Sequence, residues 1–443
     1  LTFTPAAAFS GQVVVTFSLT NAYGTTNGSL AVTVEARPDP SGNAEVRGVA
    51  TAPVASARRF ADAQLNNFQR RLQTLHDGAN RSSNGLTLNL GSGGSADMDK
   101  DPRQALRRQL GVRDPVDPGA MDDRSREMLG LDFRAGRDVG PEAVDAATGS
   151  LASPPATGGR GGGQTIGFWT AGSVDWGRQD STGQRDYRFT TQGVTAGLDM
   201  RVGDTLIVGG GVGYGEDRTR IGDNDSVSDG KAWTGALYAG WRPAEAVYVD
   251  GVFGFADLDF EIRRWVDGLA GQSDGYATAD RSGDVIFASA AFGRVTRGRG
   301  AITDVYARVD AREITLDGFT ETGGGLGGLV WDKIDQGSLS ANLGAEWRWA
   351  VDTRRHGLIS PSARLEWSHE FEDVGAQGVR YADWAASPTY LVPLDAWSRD
   401  MIKVDLGAEW SLTERLMLDL GFRSVFGDAG TSHGGDIRVR FEW

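Results

Sequence analysis

Apolar and polar residues alternate along the C-terminal part of the chain, from Ile166 onward. The stretch IKVDLGAEWSL (402–412) has apolar residues at every second position, with Lys403, Asp405 and Glu409 between them. A period of two predicts a strand with one apolar face and one charged face. We count about twelve such segments, each near the roughly nine to eleven residues that a tilted strand needs to cross a bilayer.

The links between these segments alternate in length. Short links cover 201–204, 242–245, 296–300, 352–357 and 412–415, and longer polar links cover 215–231, 266–284, 317–328 and 373–400. Short turns at one end and long loops at the other are typical of an even-stranded outer-membrane barrel. The pattern therefore predicts an all-β membrane protein, an antiparallel barrel of about twelve strands over 166–443.

A soluble β-sandwich would also alternate, because its apolar face packs inward. Two features favour the membrane barrel. Charges of both signs recur at strand centres, as a polar lumen requires. Tryptophans also lie near segment ends, as in the aromatic girdles at membrane interfaces; they are Trp176, Trp233, Trp241, Trp265, Trp349 and Trp410.

The residues before the barrel divide into four segments. Residues 1–36 alternate around the turn NAYGTTNG and are interpreted as the C-terminal fragment of an immunoglobulin-like β repeat. Residues 37–54 are predicted to be a linker. Residues 55–78 have a helical period and predict an amphipathic helix that Ser56 caps and Gly78 ends. Residues 79–165 are weakly patterned and are predicted to be a partly disordered linker with short helices.

Composition narrows the chemistry. The chain has no cysteine, which excludes disulfides, thiolate nucleophiles and iron–sulfur clusters, and its net charge of −14 argues against nucleic-acid binding. The four histidines share no metal-ligand spacing, and no nucleophile elbow or catalytic triad can be assembled. We therefore expect no enzyme activity, no metal and no cofactor. The first residues lack the features of a signal peptide, so we expect either a cytosolic protein or the C-terminal piece of a longer exported precursor.

The order of helix 56–76, barrel 166–443 and the ending Phe441–Glu442–Trp443 resembles the translocator domain of the type V secretion autotransporters of Gram-negative bacteria. One departure is that residues 77–165 lie between the helix and the first strand. The resemblance implies an outer-membrane anchor that exports its own N-terminal passenger and displays it on the cell surface. It also implies a monomer that contacts outer-membrane lipid, periplasmic chaperones and the barrel-assembly machinery.

The resemblance also assigns roles to individual residues. The last strand would be the assembly signal, with Ile437, Val439, Phe441 and Trp443 on its apolar face. The helix would fill the lumen as a pore plug, with Arg58, Arg59, Leu65, Phe68, Arg70, Arg71 and Leu72 as its contact residues. The acids expected to face it from the lumen are Asp250, Asp310, Glu346, Glu366, Asp405 and Asp419.

Two stretches carry open alternatives. Asn66–Asn67 is similar to the helix of autotransporters that cut their own passenger between two asparagines, or it is a pair of polar residues facing lumen water; we expect it to be inert. The stretch GGGVGYG (209–215) has the composition of a phosphate-binding loop, but no helix follows it. Its glycines are more consistent with a bent strand or with close approach of a plug.

Two other functions remain as alternatives. The same barrel could be a passive or selective outer-membrane pore, in which case the helix would not plug it. The chain could also be a soluble β-rich adhesin, and dependence on detergent would separate that reading from both others.

Overall fold

The computed structural model describes residues 9–34, 36–76, 87–89, 165–179, 187–269, 272–298, 301–349, 351–352, 358–411 and 416–441. The short helices predicted within 79–165, the predicted cap Gly78 and the terminal Trp443 lie outside the described residues.

Twelve antiparallel strands form one closed ring, and this confirms the predicted fold class. Each strand pairs with its neighbours in sequence, and the last strand pairs with the first from Gly430↔Gln179 to Asp436↔Ser173. The strands are β1 Thr165–Gln179, β2 Tyr187–Val202, β3 Leu206–Ile221, β4 Ser226–Ala244, β5 Val247–Val266, β6 Gly275–Gly298, β7 Ala301–Leu316, β8 Ile334–Trp349, β9 Leu358–Glu370, β10 Asp400–Ser411, β11 Leu416–Gly427 and β12 Gly430–Phe441.

The two faces of the ring differ in chemistry as the alternation predicts. Large apolar side chains face outward, and Leu237 and Trp233 are 69% and 64% exposed. Charged and polar side chains on the inner face are buried, among them Asp199, Asp217, Asp310, Asn342, Glu366 and Glu370. Because lipid cannot solvate charge, this inside-out distribution suits a barrel in a membrane with a polar lumen. The outer membrane is therefore the location of this domain.

Two of the predicted long links are shorter than expected. β3 continues to Ile221 and β4 begins at Ser226, so only a tight turn remains, with positive φ at Gly222 (62°) and Asp225 (56°). β5 and β6 likewise extend into the segment predicted as the link 266–284. The polar composition indicated loops, but backbone pairing continues beyond the apolar band, where both faces can be polar.

The other two long links fold into a small sheet at the same end of the barrel. Its strands are Phe319–Thr320, Leu329–Trp331, Ala376–Tyr381 and Tyr390–Pro393. Further short elements are the 3-10 turns Pro40–Gly42 and Gly325–Gly327 and the strands Thr87–Asn89 beside β1, Thr322–Gly323 beside β6 and Val351–Asp352 beside β9.

This small sheet contacts the chain just before the helix. Arg37 donates two hydrogen bonds to Asp383 (2.5 and 2.6 Å), and its guanidinium lies 4.9 Å from the ring centre of Tyr381. The Tyr381 hydroxyl donates to the carbonyl of Pro38 (2.9 Å). The hydrogen bonds from Arg37 hold the pKa of the Asp383 carboxyl below its usual value, so the pair stays charged at neutral pH.

A separate hairpin precedes this contact. Its strands Gly11–Asn21 and Gly24–Val34 pair in register, with Phe17 opposite Gly28. Val13, Val15 and Leu30 lie on one face, and Leu30 is 49% exposed. A two-stranded hairpin of this kind is marginally stable by itself in water.

The helix covers Ala44–His76 and so begins inside the segment predicted as the linker 37–54. Asn43, not Ser56, caps it, since its side-chain oxygen accepts from the backbone N–H of Glu45 (2.8 Å) and of Val46 (3.2 Å). Pro53 lies within the helix, a position that proline rarely occupies. None of the helices that the structure describes is both long and apolar enough to cross a membrane.

Candidate functional site: the helix inside the barrel

The helix lies inside the ring of strands and runs along its length. Four of its arginines bond with strands spread around the ring, which are β2, β3, β9 and β12. Gly48, near its start, is packed against Ile221 at the end of β3, and His76, its last residue, stacks on Tyr248 at the start of β5. The helix therefore runs antiparallel to β3, from the long-link end of the barrel to the short-turn end.

Glycines on the inner face of β3 make room for the helix. A methyl group added at Gly211 would lie 2.9 Å from the ring of Phe68, and one added at Gly215 would lie 2.9 Å from the ring of Phe60. At Gly213 it would overlap the side-chain amide of Gln64. A side chain at Gly211 or Gly215 would displace a phenylalanine ring, and one at Gly213 would displace the amide end of Gln64.

The spacing of these contacts follows from geometry. Four residues of a helix rise about 6 Å, and two residues of a strand rise about 6.7 Å. Phe60, Gln64 and Phe68 therefore meet alternate glycines of β3 in turn. The glycines of the stretch 209–215 therefore permit close approach of the helix, which is one of the interpretations given from the sequence.

The first arginine contact ties the helix to β3. Arg59 donates from Nε and Nη2 to the two carboxylate oxygens of Asp217, each at 2.8 Å, and Ser56 donates to the same carboxylate (2.5 Å). Thr191 also donates to Asp217, whose side chain is fully buried. A buried carboxylate is stable only while its charge is compensated, so removing Arg59 would cost about 3–5 kcal/mol.

A second contact ties the C-terminal third of the helix to β2. Arg71 donates to both oxygens of Asp199, at 2.6 and 2.8 Å. The hydroxyl of Tyr238 donates to Asp199 (2.9 Å) and accepts from the indole of Trp169 (2.6 Å). Phe68 packs edge-on against that indole, with ring centres 5.5 Å apart.

The end of the helix is held at the short-turn end of the barrel. His76 Nε2 lies 2.6 Å from Asp250, and its ring stacks on Tyr248 with ring centres 4.2 Å apart. Arg297 donates to the carbonyl of His76 (3.1 Å), which satisfies a backbone acceptor at the helix C-terminus. A cation at this end also suits the helix dipole.

Two further arginines of the helix bond with β9 and β12. Arg58 donates to Glu370 (2.7 Å) and lies 4.2 Å from the ring centre of Trp397. Arg70 donates to Asp436 (2.5 Å) and has Asp405 at 3.8 Å. Contacts on all sides fix both the rotation and the depth of the helix.

The acids named from the sequence lie on the inner wall, but they contact the helix unequally. Asp250 bonds with His76, Asp405 lies near Arg70, and Asp310 accepts weakly from Gln69 (3.4 Å). The other three have different surroundings: Glu346 pairs with Arg364 (2.5 Å), Glu366 pairs with Arg308 (2.8 Å), and Asp419 lines a cavity beside Arg70.

Most partners of the arginines lie outside that set. They are Glu370, Asp217, Asp199 and Asp436, and each occupies an inward position of its strand. The alternation within VTAGLDM and YGEDRTR places Asp199 and Asp217 inward, so the sequence contained the signal for their face. It contained no signal for which acid the helix would meet, because that depends on the rotation of the helix.

The space left beside the helix is small. One cavity of about 230 Å³ lies between the helix and the wall that includes Arg423, and a second of about 120 Å³ lies between Arg70 and Asp419. Asn66 lines the first cavity, and the side chain of Asn67 donates to Thr195 (2.8 Å). Both asparagines belong to the uninterrupted helix.

The residues of the expected assembly signal are placed only in part. Ile437, Val439 and Phe441 belong to β12, with Phe441 opposite Leu416 of β11. Trp443 lies outside the described residues. Among the described residues, no group of three or more acidic, histidine or cysteine side chains could hold a metal ion.

The comparison with protein-family models gives one family. The family model described as "Autotransporter beta-domain" matches residues 168–423, more than half of the chain. None of the curated proteins matches significantly.

Three similar solved structures are the translocator domain of the autotransporter NalP from Neisseria meningitidis, the transport unit of AIDA-I from Escherichia coli and the β domain of the Bordetella autotransporter BrkA. Identities are 12%, 13% and 17%, and TM-scores are 0.49, 0.41 and 0.42. The matches cover 63%, 62% and 61% of this chain and 88%, 90% and 98% of those chains.

Replacing Gly213 by valine tests the fit of the helix against β3. The new methyl groups would overlap Gln64, and overpacking of this kind costs about 1–3 kcal/mol. We expect faster hydrogen–deuterium exchange of helix amides 56–72 and a lower thermal unfolding midpoint. Gly235→Val is the control, since an added methyl there meets nothing within 4 Å. Equal behaviour of the two variants would contradict the described packing.

Proposed function

Because the chain belongs to the autotransporter β-domain family, and so is an outer-membrane translocator barrel, we propose that it exports an N-terminal passenger and then anchors it at the cell surface. The observation that carries this proposal is the helix threaded lengthwise through a closed barrel. A helix in that position connects the N-terminal part of the chain, at one end of the barrel, to the barrel strands that follow it in sequence.

The direction of the helix supports this reading. Its N-terminal end lies at the long-link end of the barrel and its last residue lies among the short turns. In outer-membrane barrels the short turns are periplasmic and the longer loops extracellular. The chain before Ala44 therefore emerges on the cell surface, where the small sheet binds Arg37 and Pro38.

The hairpin Gly11–Val34 then belongs to the displayed passenger. Its apolar residues Val15 and Leu30 form a face that a larger β domain would cover, as the interpretation of residues 1–36 as part of an immunoglobulin-like repeat requires. The binding activity of such a passenger would depend on that larger domain.

We also propose that the helix seals the barrel after export. Ion pairs to several strands of the wall hold it, and the larger cavities beside it have volumes of only about 230 and 120 Å³. Such an arrangement favours a plugged translocator over an open pore, which is the alternative function. The soluble adhesin is disfavoured, since the exposed apolar band would be in water.

Deleting the helix Ala44–His76 tests the plug. We expect single-channel conductance in planar bilayers to rise severalfold, because the lumen loses its largest occupant. Deleting the hairpin Gly11–Val34 is the control and should leave conductance unchanged. Heat-dependent gel migration would check that each barrel is folded, and unchanged conductance of a folded barrel without the helix would place the plug elsewhere.

We propose that Asn66–Asn67 stays uncut. Cyclisation would need the Asn66 side-chain nitrogen to attack its own backbone carbonyl carbon, and the helix holds that carbonyl in a hydrogen bond. The adjacent Asn67 amide is bound to Thr195. The intact mass of the protein used for conductance would reveal cleavage, since a chain beginning at Asn67 would contradict this proposal.

The last strand is proposed to be the signal by which periplasmic chaperones and the barrel-assembly machinery recognise the chain. Its alternation would present Ile437, Val439, Phe441 and Trp443 on one face. After assembly this face would contact outer-membrane lipid, and the ring closes within one chain, as a monomer requires.

Inserting one residue before Ile437 tests this signal. The insertion would exchange the two faces, and a charged residue facing lipid at mid-membrane costs about 2–4 kcal/mol. We expect the level of protein in the outer membrane to fall strongly, and deletion of Trp443 to act in the same direction. Glu442→Gln keeps the alternation and is the control. Wild-type levels of the insertion variant would refute the proposal.

A further inference from the structure

Four arginines cluster on the outer wall of β1–β3. Arg178 pairs directly with Arg188 across β1 and β2, and Arg188 pairs directly with Arg220 across β2 and β3. Arg218 lies two residues from Arg220 on the same face. All four side chains are exposed, and together they form the arginine patch. Like charges directly opposite each other on a sheet destabilise it unless an anion lies between them.

Nearby carboxylates compensate this charge only in part. Arg218 has Asp229 at 3.5 Å, and Glu216 is occupied by hydrogen bonds from Gln192 and Tyr214, each 2.9 Å. In the part of the chain that the structure describes, neither Arg188 nor Arg220 has a carboxylate oxygen within 4.0 Å, so neither forms an ion pair there. The centre of the row is therefore a concentration of positive charge.

The patch lies directly above the apolar band. On β1, Arg178 follows Trp176 by two residues on the outward face; on β3, Arg218 follows Tyr214 by four. Two strand residues rise about 6.7 Å, so the guanidinium groups lie at the level where lipid headgroups begin. Aromatic residues mark that boundary in membrane barrels.

A groove opens in the outer wall just below the patch. It has a volume of about 670 Å³ and crosses the seam between β12 and β1. Val174, Trp176, Val194 and Leu420 line it, and Gly172 and Gly435 leave it without side chains at the seam. Its lining is mostly apolar, and it lies at the depth of lipid acyl chains.

We propose that β1–β3 and the seam form a binding site for a phosphorylated, multiply acylated lipid of the outer leaflet, the chemistry of the lipid A portion of lipopolysaccharide. The arginine patch would bind the phosphates, because guanidinium groups match phosphate oxygens bidentately. The groove beneath would take an acyl chain. The phosphate site lies at headgroup depth and the groove lies at acyl-chain depth on the same face of the barrel, and this combination points to a lipid. A free anion would need no groove. A protein partner would not require its binding site at the membrane boundary.

The position of the site at the seam between β12 and β1 connects lipid binding to closure of the barrel. β12 pairs with β1 only from Gly430 to Asp436, whereas β1 pairs with β2 from Ile166 to Gln179. A lipid bound across this shorter junction would contact both closing strands. It would therefore stabilise the closed ring.

Native mass spectrometry of the full chain in detergent tests the site, with bisphosphorylated lipid A, the same lipid without phosphates, and inorganic phosphate as probes. The variant Arg178→Gln/Arg188→Gln/Arg220→Gln removes three charges of the patch. Its matched control, Arg263→Gln/Lys333→Gln/Arg399→Gln, removes three exposed charges elsewhere on the barrel end. Gly172→Leu/Gly435→Leu fills the groove, and added methyl groups there meet only ordinary contacts of 3.6 and 3.8 Å.

The lipid site predicts that the wild-type chain and the charge control retain bisphosphorylated lipid A equally, and that the arginine variant binds it at least about tenfold more weakly. The groove variant should weaken binding of the lipid with and without phosphates, and inorganic phosphate should not bind. Equal binding by the arginine variant, or equal binding of the dephosphorylated lipid by the wild type, would overturn the proposal. Stoichiometric binding of inorganic phosphate would reduce the site to an anion site and would also overturn it.

Discussion

The structure depends on pairing the charges of a helix inside a closed barrel. Arg58, Arg59, Arg70 and Arg71 are held where water is scarce, and each has an acid of the wall within hydrogen-bonding distance. Because an unpaired buried charge costs several kcal/mol, these pairs admit one rotation and one depth of the helix. A helix that moved by one turn would leave several charges unpaired at once.

Packing enforces the same position by different means. The inner face of β3 is nearly without side chains from Gly209 to Gly215, and Phe60, Gln64 and Phe68 fill the space. The helix therefore lies close to one wall, and the residual cavities lie along the other. β3 carries both the close contact inside and part of the arginine patch outside, so one side of the barrel holds the plug while its outer surface faces the lipid headgroups.

The strand pattern was readable from sequence because alternation is a local property. IKVDLGAEWSL shows its faces without reference to any neighbour. The start of the helix was not readable, since Pro38, Pro40 and Gly42 lie just before it and Pro53 lies inside it, where proline is untypical. The extension of β3 and β4 beyond the apolar band was not readable either, because polar residues in a paired hairpin above the membrane have the composition of a loop.

The acidic partners of the helix arginines show most directly what could not be predicted from the sequence. Alternation places Asp199, Asp217 and Glu370 on the inner face, but many acids share that face. Which one meets a given arginine depends on where the helix lies in the ring, and the glycines of β3 determine that through tertiary packing. The glycine-rich stretch was therefore the informative signal, and its meaning became clear only beside Phe60, Gln64 and Phe68.

A disulfide between the helix and β3 tests this arrangement most directly. The chain has no cysteine, so Gln64→Cys with Gly213→Cys introduces a single pair. The described packing predicts that this pair forms an intramolecular bridge under mild oxidation in intact outer membranes, while Gln64→Cys with the outward Gly235→Cys forms none. A folded, membrane-inserted barrel in which the Gly213 pair stays reduced would contradict the position of the helix and the account built on it.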